Sequence, residues 1–514
     1  MTRRVQNPPR NTRAGFTLSA PVSHHSDSNL SRYLVLVVVW LLVLRVLVPG
    51  FFDYGDVQMS TVVERDAVFN KVTWLVFAGV SGGLVLSRST AALRLIRATN
   101  PFFVALLMYA ACSVLWSIDR AATLARLFHI VTVLLACMAA TLIGWHERRF
   151  QNVARPAFTV LLLGSLIFGL VAPDLAIDPP IPPDTKFYWH GLADQKNQLG
   201  ALASMGTIFW VHGWAAREVK LTAALLWGSV SVACLLLSRS STSLMATILV
   251  CGFLLIMLRS NRAIRRYVPY VVVFLVAVTL LYGLAVLNVV PGLDALLTPI
   301  TDLTGKDRTF SNRAQIWAIL QEHIRQNPIL GSGYGAYWTG PRPSSPSFAF
   351  IYRMFFYPGE CHSGYLEIIN DLGYLGLLLL IGYLWTFIRQ CLNLLKTNYS
   401  QAGLYLAMLL QQLLTNLSES HWFFLQTDFI MFTLATLCLA RNRMDRDELL
   451  QLARNRPTPE QSTRFQHGTK PRVGTRTAQR CELAGETLDL IHGRGRVQRS
   501  LQMFGESQRE RHNS

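Results

Sequence analysis

"VPYVVVFLVAVTLLYGLAVLNVV", residues 268–290, decides how the chain must be read. It runs for 23 residues without a charge. At about 1.5 Å per helical residue, such a run crosses the ~30 Å hydrocarbon layer of a bilayer. Lipid offers the backbone no hydrogen-bond partner, so a single crossing segment must be helical. The whole chain fits that solvent: of 514 residues, 51% are hydrophobic and 15% charged. Comparable runs at 33–49, 69–87, 101–117, 124–144, 156–173, 197–215, 221–237, 243–258, 364–388, 402–418 and 422–440 bring the expected spans to 12. The expected fold is an all-α, polytopic integral membrane protein with about 12 transmembrane helices.

The first thirty residues are polar and arginine-bearing, with no apolar core and small-residue cleavage site of the signal-peptide kind. Residues 1–32 therefore read as a cytoplasmic N-terminal tail, 33–440 as the transmembrane domain, and 441–514 as a disordered cytoplasmic tail. The eight cysteines show no metal-like spacing, and Cys361 stands alone in a large loop, which argues against a structural disulfide there. A net charge of +18 would suit a nucleic-acid partner. The arginines, however, sit in short loops and in the tail, where they orient a membrane protein.

The loops alternate in charge. One set carries Arg88, Arg94 and Arg97, then Arg148, Arg149 and Arg155, Arg217 and Lys220, Arg259 to Arg266, and Arg389 and Lys396. The intervening loops carry Asp53, Asp56, Asp119, Asp174 and Asp194. The positive-inside rule then puts both termini in the cytoplasm of the inner membrane. One outward loop, 291–363, is far longer than the rest and is expected to carry short helices and function. Within it, "SNRAQIWAILQEHIRQNP" aligns Ile316, Trp317, Leu320 and Ile324 on one apolar stripe, with Ser311 or Asn312 as cap and Pro328 as stop.

Polar residues at span ends gather on the same outward side: Lys196 and Asn197, Arg239, the group Lys306, Arg308 and Arg313, then His362, then Glu419 and His421. Arginine recognises phosphate in a bidentate manner and keeps its charge when desolvated. Two arginines could hold a lipid-linked diphosphate, and a histidine could orient or deprotonate an attacking hydroxyl. No carboxylate cluster of divalent-metal type stands out, so neither metal nor other cofactor is expected. Plainer readings exist for each residue. Arg239 could snorkel at a helix end, Arg313 could be solvated, and His362 could be an inert interfacial histidine. Glu367, Asn370 and Asp371 could be a packing face. The glycine-rich "GSGYGAYW", residues 331–338, follows no strand and reads as a turn rather than a nucleotide loop.

Seven segments together resemble the O-antigen ligase and polymerase superfamily, most closely its exopolysaccharide polymerase branch. They are "WSIDR" (116–120), "DQKNQLG" (194–200), "SRSSTSL" (238–244), "SNRAQIW" (311–317), "NPILGSGYGAYW" (327–338), "HSGYLEIINDLGYLG" (362–376) and "NLSES" (416–420). The resemblance implies catalytic roles for Arg239, Arg313 and His362, the last spaced from Gly373 as in the family. Lys196, Asn197, Arg308, Glu367 and Glu419 are the expected substrate-binding residues. It also implies a metal- and nucleotide-independent, inverting glycosyltransferase that polymerises undecaprenyl-diphosphate-linked repeat units at the periplasmic face in exopolysaccharide biosynthesis. The expected partners are that lipid-linked glycan and membrane lipids, with a chain-length regulator and export machinery as candidates, and no nucleic acid. Two departures set the chain apart from lipid A-core ligases: Ser311-Asn312-Arg313 replaces a threonine-glycine-arginine motif, and the spacing from Arg239 to the next leucine is one residue longer. A ligase that transfers finished glycan to a lipid or protein acceptor is the alternative. A transporter of lipid-linked glycan is more distant, because it would call for structural repeats, broken helices and midplane charges.

Overall fold

The computed structural model describes residues 28–47, 67–179, 187–286, 313–341 and 343–454. Lys306, Arg308, the Ser311/Asn312 cap, the N-terminal tail to residue 27 and the tail beyond 454 lie outside the described residues.

In chain order the elements are α1 (Asn29–Leu47), α2 (Ala67–Leu86), α3 (Ser89–Ala98), α4 (Pro101–Cys112), α5 (Arg120–Leu142), α6 (Arg149–Val171) and α7 (Pro173–Ala176). A two-residue antiparallel pair follows, β1 (Ile177–Asp178) with β2 (Tyr188–Trp189), which is a small addition to an otherwise helical chain. Then come α8 (Lys196–Ala215), α9 (Leu221–Leu237), α10 (Ser241–Arg259), α11 (Arg262–Arg265), α12 (Val268–Val286), α13 (Arg313–Ile324) and α14 (Ala349–Met354). The last are α15 (Gly364–Leu394), α16 (Tyr399–Thr415) and α17 (Thr427–Arg454).

Every apolar run read from the sequence falls on one of these helices. Among the described residues, α1, α5, α6, α10 and α15 are long and apolar enough to cross a membrane alone. A sixth is added if α2 from Lys71 and α3, bent by 96°, count as one, and α9 is a shorter apolar helix. Among the described residues, length and composition thus give five or six crossings, which does not confirm the expected 12. The shortfall has a physical reason in α8, which is buried almost throughout from Leu199 to Ala215. Other helices, rather than lipid, surround it, so it can carry Ser204, Thr207 and His212. Its small residues permit close approach. Gly206 lies against Ser231 and Leu162, and Thr247 of α10 donates to Ser204 Oγ at 2.6 Å. Helix α9 shows the complementary pattern: Ser231 and Cys234 point inward, while Leu225 and Leu226 are exposed by 63% and 60%. Apolar residues outside and small polar ones inside suit a lipid solvent.

Polar groups gather at both ends of α8. At its C-terminal end, Arg155 pairs with Glu218 at 2.9 Å, Gln151 bonds Gln401 at 2.9 Å, and Arg259 stacks on Trp214 at 4.2 Å. At its N-terminal end, Asn197 enters the cluster described below. Twenty residues separate the ends, about 30 Å of helix.

Three boundaries differ from expectation. Helix α13 stops at Ile324, four residues before Pro328, although its stripe of Ile316, Trp317, Leu320 and Ile324 is buried as expected. The last helix starts at Thr427 rather than 422 and runs past 440 to Arg454. Helix α15 is not continuous: Gly373 takes φ 66°, ψ −172°. This break receives the glycine-rich loop. Ser332 N–H donates to Asn370 O at 2.9 Å, Gly333 N–H to Asp371 O at 3.0 Å, and Gly335 N–H to Asp371 Oδ2 at 2.7 Å. In return, Tyr374 N–H donates to Pro328 O at 2.8 Å. The loop also meets the "WSIDR" segment, where Ile118 N–H donates to Ser332 O at 2.9 Å and Trp116 Nε1 to Leu330 O at 3.1 Å. The loop is therefore a turn, as read, and its backbone replaces the helical bonds lost at Gly373.

That backbone conformation is nearly exclusive to glycine, and a Cβ at Gly373 would collide with Ile329 O. Gly373→Ala is expected to destabilise the protein by about 2–3 kcal/mol, read as a lower thermal midpoint in detergent. Gly252→Ala, where a Cβ meets nothing within 4 Å, is expected to leave the midpoint unchanged or higher.

Candidate active site

Three of the sequence-selected residues converge on the carboxylate of a fourth. Glu419 lies in the turn between α16 and α17 and is 6% exposed. Its Oε1 accepts from Arg313 at 2.7 Å and from Asn197 Nδ2 at 2.8 Å. Its Oε2 lies 3.2 Å from Nδ1 of His362. Arg313 opens α13, Asn197 sits in the first turn of α8, and His362 precedes α15.

Local chemistry builds the turn that carries Glu419. Asn416 Oδ1 accepts from the backbone N–H groups of His421 at 2.9 Å and Trp422 at 2.7 Å. Gly364 N–H donates to the carbonyls of Asn416 and Glu419, both at 3.0 Å. A Cβ at Gly364 would collide with Asn416 Oδ1, so glycine there permits the close approach of the two turns. His421 Nδ1 lies 2.6 Å from Asp428 Oδ2 in the first turn of α17, with both residues buried. On the loop side, Trp317 Nε1 donates to Cys361 O at 2.9 Å and docks α13 against the chain entering α15.

A fifth residue, Glu360, escaped the sequence reading. Its Oε1 lies 3.1 Å from His362 Nδ1, so the imidazole sits between two carboxylates. The signal was the spacing Glu-x-His in "GECHS", two residues that share one side of an extended turn. Burial alone would lower the His362 pKa, but hydrogen bonds to Glu360 and Glu419, and their charges, raise it to about 9. Glu419 responds in the opposite sense. Burial raises its pKa, yet the hydrogen bond to His362 and the charge of Arg313 bring it below its ordinary value. At neutral pH the site therefore holds an imidazolium and a guanidinium around carboxylates. Glu360, His362 and Glu419 also place one possible ligand atom each within 4.8 Å of one another, a carboxylate–histidine cluster the sequence reading did not see. Arg313 already pairs with Glu419 at 2.7 Å, and His362 Nδ1 lies within hydrogen-bond reach of both carboxylates. The set suits a charged imidazole better than a divalent ion.

The remaining selected residues lie around this centre. Arg239 is exposed, in the turn between α9 and α10, with a left-handed φ of 51°. Its neighbours Ser238 and Ser240 pack on Gly200, one turn along α8 from Asn197, so the turn belongs to the same end of the bundle. Lys196 is half-buried, with Nζ 3.3 Å above the Tyr188 ring of β2. Glu367 does not reach Glu419. It is 3% exposed, and its Oε2 accepts from Cys361 N–H at 3.2 Å and Ser420 Oγ at 3.3 Å. Asp371 serves the loop at Gly335, 2.7 Å away.

The shifts fix a pH dependence of stability. His362 has a folded pKa of about 9 against an ordinary 6.5, so its contribution is complete below 6.5 and lost as pH rises through about 9. Glu419 is depressed from 4.5, so its contribution is present above 4.5 and lost as pH falls below it. The thermal midpoint in detergent is expected to fall on the alkaline side through about pH 9. In His362→Gln that limb should flatten, and an unchanged alkaline limb would contradict the assignment.

Residues 223–381 match the family described as O-Antigen ligase. Over 307 residues the chain is 29% identical to the exopolysaccharide production protein ExoQ of Rhizobium meliloti (strain 1021). The aligned region covers 56% of this chain and 65% of that relative, slightly under two thirds of its length. The family match spans the turn with Arg239, the helix opened by Arg313, His362 and the Gly373 break. The domain match and this relative together support an O-antigen ligase/ExoQ-like assignment for the region they cover.

Proposed function

We propose that the protein is a glycosyltransferase of the bacterial inner membrane that polymerises undecaprenyl-diphosphate-linked oligosaccharide repeat units at the periplasmic face, in exopolysaccharide biosynthesis. The single observation that carries this reading is the convergence of Arg313, His362 and Asn197 on the buried Glu419, at one end of an apolar bundle. A permanent guanidinium and an imidazolium held together at a membrane boundary match the charge and depth of a lipid-linked diphosphate. The similarity to an exopolysaccharide production protein supports the polymer as product. Both termini lie in the cytoplasm in this reading, and the basic end of the bundle around Arg155 and Arg259 faces anionic lipid. Twelve crossings remain part of the proposal.

The chemistry follows from the charges. Arg313 and His362 engage the diphosphate, with Arg239 approaching from the neighbouring turn. An acceptor hydroxyl on one repeat unit attacks the anomeric carbon of another from the face opposite the diphosphate. The new glycosidic C–O bond forms as the sugar–phosphate C–O bond breaks, with inversion. Undecaprenyl diphosphate leaves, and the hydroxyl proton passes to water on the attacking face. His362 arrives already protonated, so its part is to stabilise the departing charge rather than to remove a proton. Glu419 and Asn197 hold the two cations in place beforehand, which lowers the reorganisation needed in the transition state. In this reading the arginines, rather than a divalent metal, neutralise the diphosphate. Within the same site chemistry, a ligase would differ only in its acceptor.

Deleting the gene in its host is expected to leave single repeat units on undecaprenyl diphosphate and remove long surface polymer. Arg239→Ala and Arg313→Ala should reproduce that loss, by at least about a hundredfold, with the protein still in the membrane. Long chains stranded on the carrier would instead identify a ligase, and units held on the cytoplasmic face a transporter. The transfer rate is also expected to fall as pH rises through about 9, where His362 loses its charge. A rate that climbs to a plateau above that pH would make His362 the base.

A further inference from the structure

Glu367 stands one turn inside α15, its N–H bonded to Ser363 O at 2.9 Å, so its position is fixed by the helix. Its Oε2 accepts from two chain segments at once: Cys361 N–H at 3.2 Å and Ser420 Oγ at 3.3 Å. Cys361 immediately precedes His362, and Ser420 immediately follows Glu419. The same two residues meet directly, with Cys361 Sγ 3.6 Å from Ser420 Oγ, while the Cys361 thiol donates to Ser363 O at 3.0 Å. His362 itself has a left-handed φ of 52°, a conformation unfavourable for a residue with a Cβ, and it persists only where neighbours impose it. The other oxygen of Glu367, Oε1, is buried without a partner among the described residues. A buried carboxylate half-satisfied in this way is a poor device for stability. Its value lies in what the satisfied oxygen holds.

We propose that Glu367 is a positioning residue for the His362–Glu419 pair, one carboxylate oxygen clamping the turn before His362 to the turn after Glu419. The inference rests on the transferase reading above for its meaning, but its geometry can be tested without it. The groups that set the charge of His362 are Glu360 and Glu419 in contact with it and Arg313 behind Glu419. His421 and Asp194 act at longer range, His421 on both carboxylates and Asp194 on Glu360. Glu367 hydrogen-bonds none of the contacting side chains; it acts on Glu360 through space and on His362 through the backbone it clamps, and Glu367→Gln removes only the first of these.

The experiment is an NMR titration of the full-length chain in detergent micelles, with 15N-labelled histidine and the His362 signal identified by its absence in His362→Gln. Glu367→Gln keeps an oxygen that accepts both bonds, and the His362 titration is expected to stay near its wild-type midpoint. Glu367→Leu removes the clamp, and the midpoint is expected to fall by about one unit or more toward the ordinary value as His362 separates from its carboxylates. A wild-type titration in Glu367→Leu overturns the proposal, as does a fall of the same size in Glu367→Gln. If Glu367→Leu does not fold, Ser420→Ala removes one of the two donors. Its midpoint is expected to fall by about half a unit, and no movement overturns the proposal. In cells, Glu367→Leu should lose more polymer than Glu367→Gln. A shifted His362 with polymer intact would leave the clamp standing and sink the transferase reading of the site. Loss of polymer in Arg313→Ala beside an unshifted His362 in Glu367→Leu would sink the clamp alone.

Discussion

A carboxylate taken out of water must be met by charge, and Glu419 is where this protein meets that constraint. Its two oxygens gather an arginine from the loop helix, an asparagine from the central helix and a histidine from the start of α15. Those residues lie between 57 and 222 positions away in the chain. None would hold its place alone: Arg313 opens a short helix, and His362 has an unfavourable backbone angle. Their mutual neutralisation fixes an ion-paired site at one end of an apolar bundle. The two carboxylates beside His362 also push its pKa up to about 9.

Around that centre, the fold supplies rigidity by breaking a helix rather than by extending one. At Gly373 the α15 ladder is interrupted, and the loop from Asn327 to Gly335 donates its N–H groups into the gap. A broken helix is tolerated near a membrane only where other groups satisfy the freed backbone, and this loop does so. Broken helices also feature in transporters. Here the gap is filled by the glycine-rich loop, which argues for a fixed platform beside the site. The helix α13 is fastened to the same platform through Trp317 and Cys361. The long outward loop thus becomes part of the site's wall over its described residues.

The bundle itself follows the solvent. Leu225, Leu226 and Leu236 of α9 point outward and Ser231 and Cys234 inward, while α8, enclosed by its neighbours, carries the small and polar residues that close packing needs. That division explains why apolar length alone undercounts the helices. A helix sheltered from lipid has no need of an apolar surface, and α8 and α16 are such helices.

The sequence by itself determined the solvent, the helical class and the position of every long helix, because 20-residue apolar runs have one low-energy solution in lipid. It also picked out Arg313, His362, Asn197 and Glu419, since charged and polar residues at span ends are costly unless used. The Glu360 contact, the clamp at Glu367, the Gly373 break and the burial of α8 came only from the tertiary structure. Each depends on which segments meet across tens or hundreds of residues, and a hydropathy pattern carries no such information. Even the protonation of His362 was beyond the sequence, because a pKa is set by the distance to charges that the fold alone brings together.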